Sequence, residues 1–252
     1  MNRAWIISKK DMREIFRSKS TYLYIFVMLL ASSSYFFSYF SIANSLTRQN
    51  VDAATLRTVS AAFLNSIAFI IPVLYCFFAC QISISIVVTE KTRGTLESLM
   101  ATPLSVREIW LGKAVAVTIP SIAVGLGVSL FAYLVIAFGE VAPKVHAYLA
   151  PSPLAIVSGL IVVPLLVFSG VRLVVYMQLV ISNPRVSNMV FVAIFIVVLG
   201  VLLLAVYSLP GGGLNPKYYL PIFLVLAALM TALSNALSRT LTKERVVLST
   251  RQ

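Results

Sequence analysis

Few side chains in this 252-residue chain can do chemistry, and their placement excludes most of it. The eight acidic residues are Asp11, Glu14, Asp52, Glu90, Glu97, Glu108, Glu140 and Glu244, and the single histidine is His146. None of these falls inside the long apolar runs of the sequence. Ion-coupled carriers keep a carboxylate or histidine at mid-membrane, so that class is disfavoured. An intramembrane metalloprotease needs paired histidines, an aspartyl type needs two embedded aspartates, and a serine type needs a nearby base. One histidine in a loop supplies none of them. Cys76 and Cys80 are one helical turn apart and point the same way, a poor geometry for a bridge, and they match no metal-ligand spacing. The phosphate-binding pattern G-x-x-x-x-G-K-[S/T] is absent. Gly211–Gly213 is followed by Leu214, Asn215 and Pro216, with no lysine–hydroxyl pair. This chain cannot hydrolyse ATP, so energy for any uphill movement has to come from a partner. Arg172 is the remaining candidate, a bare cation within an apolar run. At mid-helix it costs about 2.5–3.5 kcal/mol on insertion scales. Two roles stay open for it: a structural, snorkelling residue, or a contact with a substrate path or second subunit.

The elements that position these residues follow from composition. The chain is 60% hydrophobic and only 11% charged, with a net charge of +12 and a mean hydropathy of +0.96. A soluble domain is nearer 45–50% apolar and about 25% charged. A single domain of this size cannot bury so much apolar surface in water, and a bilayer is its natural solvent. Six runs reach the roughly 20 apolar residues that a spanning helix needs: Thr21–Ala43, Ser66–Thr89, Ala114–Phe138, Leu154–Ile181, Met189–Tyr207 and Tyr218–Ser238. They are continuous rather than alternating, which predicts helices and not barrel strands. Pro72, Pro120 and Pro164 lie inside them and predict kinks.

Basic residues set the orientation. Only Arg48, Arg57, Lys144 and Lys217 fall on the side opposite the termini, Arg172 lies within a span, and the rest of the 20 share the termini's side. Positive residues stay inside, so both termini are expected in the cytoplasm. Basic residues confined to short loops argue for membrane topology rather than for nucleic acid. The retained first span argues against a cleaved signal peptide. The expected fold is therefore all-α and integral to the membrane, one domain over residues 1–252.

Two polar segments carry the functional signal. Residues 1–20 wind into a basic amphipathic helix suited to the interface, with Trp5, Met12, Ile15 and Phe16 on one side and Lys9, Lys10, Arg13 and Arg17 beside them. Between the second and third spans, Glu90–Lys113 is too polar to insert and rich in structural signals. Gly94 can end the preceding helix, Thr95 can cap a new short one, and Pro103 stops it. Ser105 and Glu108 form a capping-box pattern for the next helix. In the short helix Leu96, Leu99 and Met100 fall on one stripe, with Glu97 and Ser98 facing away. The expectation is an exposed apolar ridge that asks for a partner.

This loop resembles the signature of ABC-2 type transporter permeases, matching at Glu90, Gly94, Thr95, Glu97, Leu99, Thr102, Pro103, Glu108, Gly112 and Lys113. The amphipathic start and six spans are similar to that family over almost the whole chain. The resemblance implies that the N-terminal segment is an elbow helix and that Thr95–Met100 is a coupling helix. The coupling residues would be Glu90, Gly94, Thr95, Leu96, Glu97, Leu99, Met100 and Pro103. It implies two copies of a separate ATP-binding subunit carrying ATP and Mg, and a second permease subunit in a homodimer or heterodimer. It also implies transport across the plasma membrane, in the family's usual direction of export. The loop Ser208–Lys217 would fall at the family's re-entrant external hairpin, for which it leaves little room. A channel or structural membrane subunit without an ATPase is the alternative.

Overall fold

The computed structural model describes residues 3–49, 52–141, 149–181 and 216–248, and also residues 183, 186, 189 and 192. Among the described residues all regular structure is helical. In chain order the helices are α1 (Arg3–Arg17), α2 (Lys19–Arg48), α3 (Ala53–Thr92), α4 (Thr95–Met100), α5 (Val106–Leu134), α6 (Pro153–Val157), α7 (Val163–Val180), α8 (Pro216–Ser238) and α9 (Lys243–Leu248). A π-helical turn, Val135–Val141, prolongs α5, and a second, Ser158–Val162, joins α6 to α7. Pro164 follows that second turn. It has no N–H for the helical ladder, and a wider turn accommodates the interruption.

Five described helical stretches are long and apolar enough to cross a membrane: Thr21–Arg48, Ala54–Thr92, Val106–Gly139, Pro153–Val180 and Leu220–Ser238. They correspond to the first four predicted spans and the sixth. The predicted fifth span, Met189–Tyr207, lies outside the described residues except at 189 and 192, as do His146 and the loop Ser208–Lys217 up to residue 215.

The first two of these helices, α2 and α3, run well past the apolar runs that predict them. α3 has 40 residues, about 60 Å at 1.5 Å per residue, twice the thickness of a bilayer core. Its added N-terminal part is amphipathic, with Leu56, Ser60 and Leu64 buried at helical spacing. There it pairs with the far end of α2. Tyr39 and Ser60 hydroxyls share a hydrogen bond of 3.1 Å, and the Tyr39 and Phe63 rings meet edge to face at 5.3 Å. A hydropathy window stops where polar residues enter, but a helix continues as long as one face is covered.

α3 is the central post, packed against α2, α5 and α7. Close approach depends on small residues. A Cβ on Gly159 would come within 2.6 Å of the Ala68 carbonyl oxygen, and one on Gly125 within 3.0 Å of Tyr75 Cβ. The outer surfaces are apolar: Leu23, Phe26 and Leu30 on α2, Leu130 and Phe131 on the α5 helix, and Val225 and Leu229 on α8 are all exposed. In water this would be a large liability; in lipid it is ordinary solvation. The polar groups, by contrast, gather inside and at one end.

Candidate functional site

That end is built around the corner between α3 and α5. Gly94 takes φ +69°, the left-handed conformation that closes a helix and that glycine adopts without steric cost. Its N–H donates to the Lys91 carbonyl at 3.2 Å. Thr95 does not act as the expected N-cap. It is the first residue of α4, and its hydroxyl donates backward to the Glu90 carbonyl at 3.3 Å. It therefore satisfies the end of α3, whose last carbonyls have no helical partner. On the far side of the corner the capping box forms as expected: Glu108 N–H donates to Ser105 Oγ at 3.2 Å, and Ser105 N–H to Glu108 Oε2 at 2.9 Å.

The expected ridge points the other way. Leu96 is 0% exposed and Met100 is also buried, both in the main core, while Leu99 is half-buried at its edge. A six-residue helix cannot hold itself in water. Its apolar stripe is consumed in seating it against α3 and α9. What faces outward is polar or small: Glu97, Ser98, Ala101 and, beyond the helix, Pro103 are exposed.

Beneath the corner lies a buried ion cluster that joins three helices. Lys113, only 2% exposed, sits in the second turn of α5. Its ammonium donates to Glu90 Oε2 at 2.5 Å, near the end of α3, and reaches Asp11 Oδ2 of α1 at 3.4 Å. Glu90 and Lys113 both belong to the predicted loop signature. Asp11 is not among the residues that the sequence signals single out. The available signal is its helical spacing from Ile7 and Ile15, since these residues and Ser8 form the buried face of α1 against α5. Trp5 and Phe16, expected on the same side as Ile15, are exposed. The helix thus divides its apolar residues between protein and surroundings. Tyr22 secures its junction with α2 by donating to the Phe16 carbonyl at 2.7 Å.

One ammonium faces two carboxylates in this cluster. Burial pushes the Asp11 carboxyl above its ordinary value of 3.8; Lys113 opposes the shift and Glu90 adds to it. Folded protein thus holds the Asp11 proton more tightly than unfolded chain. The stability Asp11 contributes is complete below about pH 3.8 and is lost as pH rises through the raised folded value. Asp11→Asn removes this dependence. Melting of both proteins in detergent between pH 4 and 7 should show the variant's advantage growing with pH; a difference that stays flat would contradict the assignment.

A cleft of about 450 Å³ opens beside the corner, where α1, the start of α2 and the end of α3 converge. It is lined in part by Lys10, Arg17, Arg93 and Thr95. Lys10 is paired on its own helix with Glu14 at 3.8 Å. Among the described residues no group of three His, Cys, Asp or Glu side chains could hold a metal ion.

Arg172 makes its described contacts within the chain. It is 8% exposed, its guanidinium donates to Asn235 Oδ1 of α8 at 2.5 Å, and it lies over the Trp110 ring of α5 at 4.6 Å. Trp110 in turn donates through Nε1 to the Arg172 carbonyl at 2.8 Å. These contacts provide the polar and cation–π partners a charge needs at membrane depth. They tie α5, α7 and α8 together at Arg172, while its Nε is buried without a hydrogen-bond partner among the described residues.

The described helices and their corner define the class of the chain. It is a polytopic helical membrane protein with a polar corner, mechanically tied to the helix that precedes the first span. Comparison with known families agrees: the profile described as ABC-2 family transporter protein matches residues 5–212. The chain belongs to the ABC-2 transporter family and is a membrane transport subunit of the ABC class. No curated protein matches it.

Proposed function

We propose that this chain is the permease of an ATP-driven exporter, and that α4 is the surface on which a separate ATP-binding subunit docks. The observation that carries the reading is the short helix itself. It is held from beneath by Leu96 and Met100, turned by Gly94, and leaves a polar face open. Beside it, the Lys113 cluster links the corner to α1. A helix seated this firmly passes on a push rather than absorbing it.

In this reading the termini and the α4 corner are cytoplasmic, which the distribution of basic residues supports. Glu97 and Ser98 meet the ATPase, with Leu99 and Pro103 at the margin. Gly94 and Thr95 set the corner, and Glu90 connects it to Lys113. ATP and Mg reside on two ATP-binding subunits. Two permease subunits, identical or not, enclose the substrate route, with lipid around their apolar outer faces.

The test is a cross-link. Ser98→Cys in a Cys76→Ser/Cys80→Ser background, labelled with a short photoreactive thiol reagent in native membranes, should capture a protein with a phosphate-loop ATPase sequence, identified by mass spectrometry. Labelling of Ser98→Cys by an impermeant reagent from outside intact cells would overturn the orientation and the docking together.

A further inference from the structure

The chain that follows the last described span returns to the underside of α4. After α8 ends at Ser238, four residues lead into α9. Along this path Thr240 and Tyr176 of α7 share a hydroxyl hydrogen bond of 2.8 Å. Leu241 is buried, and Val246 is 0% exposed in the same core as Leu96 and Met100. The Lys243 ammonium donates to the carbonyls of Met100 and Thr102, each at 3.1 Å. In the opposite direction, Arg107 at the start of α5 donates through Nε to the Ser238 carbonyl at 3.3 Å.

We propose that residues 239–248 form a strap that fastens α4 to α7 and α8, with Lys243 and Val246 as its positioning residues. The physical need is clear at α4. Six residues make too few helical bonds to persist alone, and the carbonyls at its C-terminal end have no partner within the helix. A cation there satisfies them and suits the helix dipole. The route this creates is direct. Displacement of α4 reaches α8 through the strap, and α7 through Tyr176, without first bending α5. Arg172 and Asn235 then bind α7 to α8 deeper in the bundle, so the two helices respond together. The inference rests on the reading of α4 as the docking helix only for its functional half.

Two measurements test it. In the full chain in detergent, Lys243→Met should speed hydrogen exchange at the Ala101 and Thr102 amides roughly tenfold. Lys243→Arg should restore protection, because a guanidinium can reach both carbonyls. Val246→Ala, which loosens the strap from its apolar side, should act in the same direction. In proteoliposomes holding the permease and its ATPase, Lys243→Met should lower transport per ATP hydrolysed roughly fivefold or more, with ATPase binding unchanged and Lys243→Arg active. Unchanged exchange in both Lys243→Met and Val246→Ala overturns the strap. Faster exchange with transport per ATP intact overturns its transmitting role and leaves docking untouched. Absence of ATPase capture at Ser98→Cys sinks the docking reading while the exchange result stands on its own.

Discussion

Lys113→Met is expected to be the most damaging single substitution at the α4 end of the bundle. It leaves the Asp11 and Glu90 carboxylates buried near each other with no cation between them. Breaking a buried ion pair from one side costs about 3–5 kcal/mol, because the surviving charge stays desolvated. Here two charges survive, and they repel. For a chain of this length the melting temperature should fall on the order of 10 °C, read by fluorescence-detected size exclusion in detergent. Glu90→Gln goes the other way. It leaves one carboxylate for one ammonium, so its stability should equal or exceed that of the parent. The triple change Asp11→Asn, Glu90→Gln, Lys113→Met replaces charges by groups of similar size and should recover most of the loss. If Lys113→Met melts with the parent, the cluster is not a buried charge site and the tie between α1 and α5 is wrong.

Gly94→Pro should separate ATP hydrolysis from transport while leaving membrane insertion intact. Proline holds φ near −65°, whereas Gly94 stands at +69°, and proline has no N–H for the Lys91 carbonyl. The corner must then re-form with α4 aimed elsewhere. Gly94→Asn is the control, since asparagine tolerates the left-handed conformation. Leu99→Asp should act similarly from the surface, putting a charge at the half-buried edge of the docking face. The expected loss in transport per ATP is roughly tenfold or more for Gly94→Pro, with Gly94→Asn close to the parent. Reconstituted permease and ATPase give the measurement directly. Unaltered coupling in both Gly94→Pro and Leu99→Asp would falsify the assignment of α4 as the docking helix.

Local chemistry makes the corner legible in the sequence. Gly94 as helix breaker, the short helix at Thr95–Met100 and the Ser105–Glu108 box each involve neighbours within a few residues, and the backbone obeys them. Thr95 departs from its expected capping role because a hydroxyl at a corner can serve either helix, and the unpaired Glu90 carbonyl is the nearer need. The apolar stripe on α4 exists as periodicity predicts, but it is covered rather than exposed. Periodicity states which residues share a face, while what covers that face comes from elsewhere in the chain. Here part of the cover is α9, whose Val246 enters the same core.

Sequence by itself determined the solvent, the helical class and the five described spans, because hydropathy sums over neighbours and bilayer thickness sets the length. It also determined the family, through a loop whose signals are local. Only the tertiary structure decided what holds the corner in place. Lys113 meets Asp11 across 102 residues and Glu90 across 23, and Lys243 reaches Met100 across 143. No spacing rule encodes such pairs. They exist because packing α1, α5 and the C-terminal segment around α3 and α4 brings those charges and carbonyls within hydrogen-bond reach, Lys113 and Asp11 in a buried site where a charge needs a partner and Lys243 at the exposed surface.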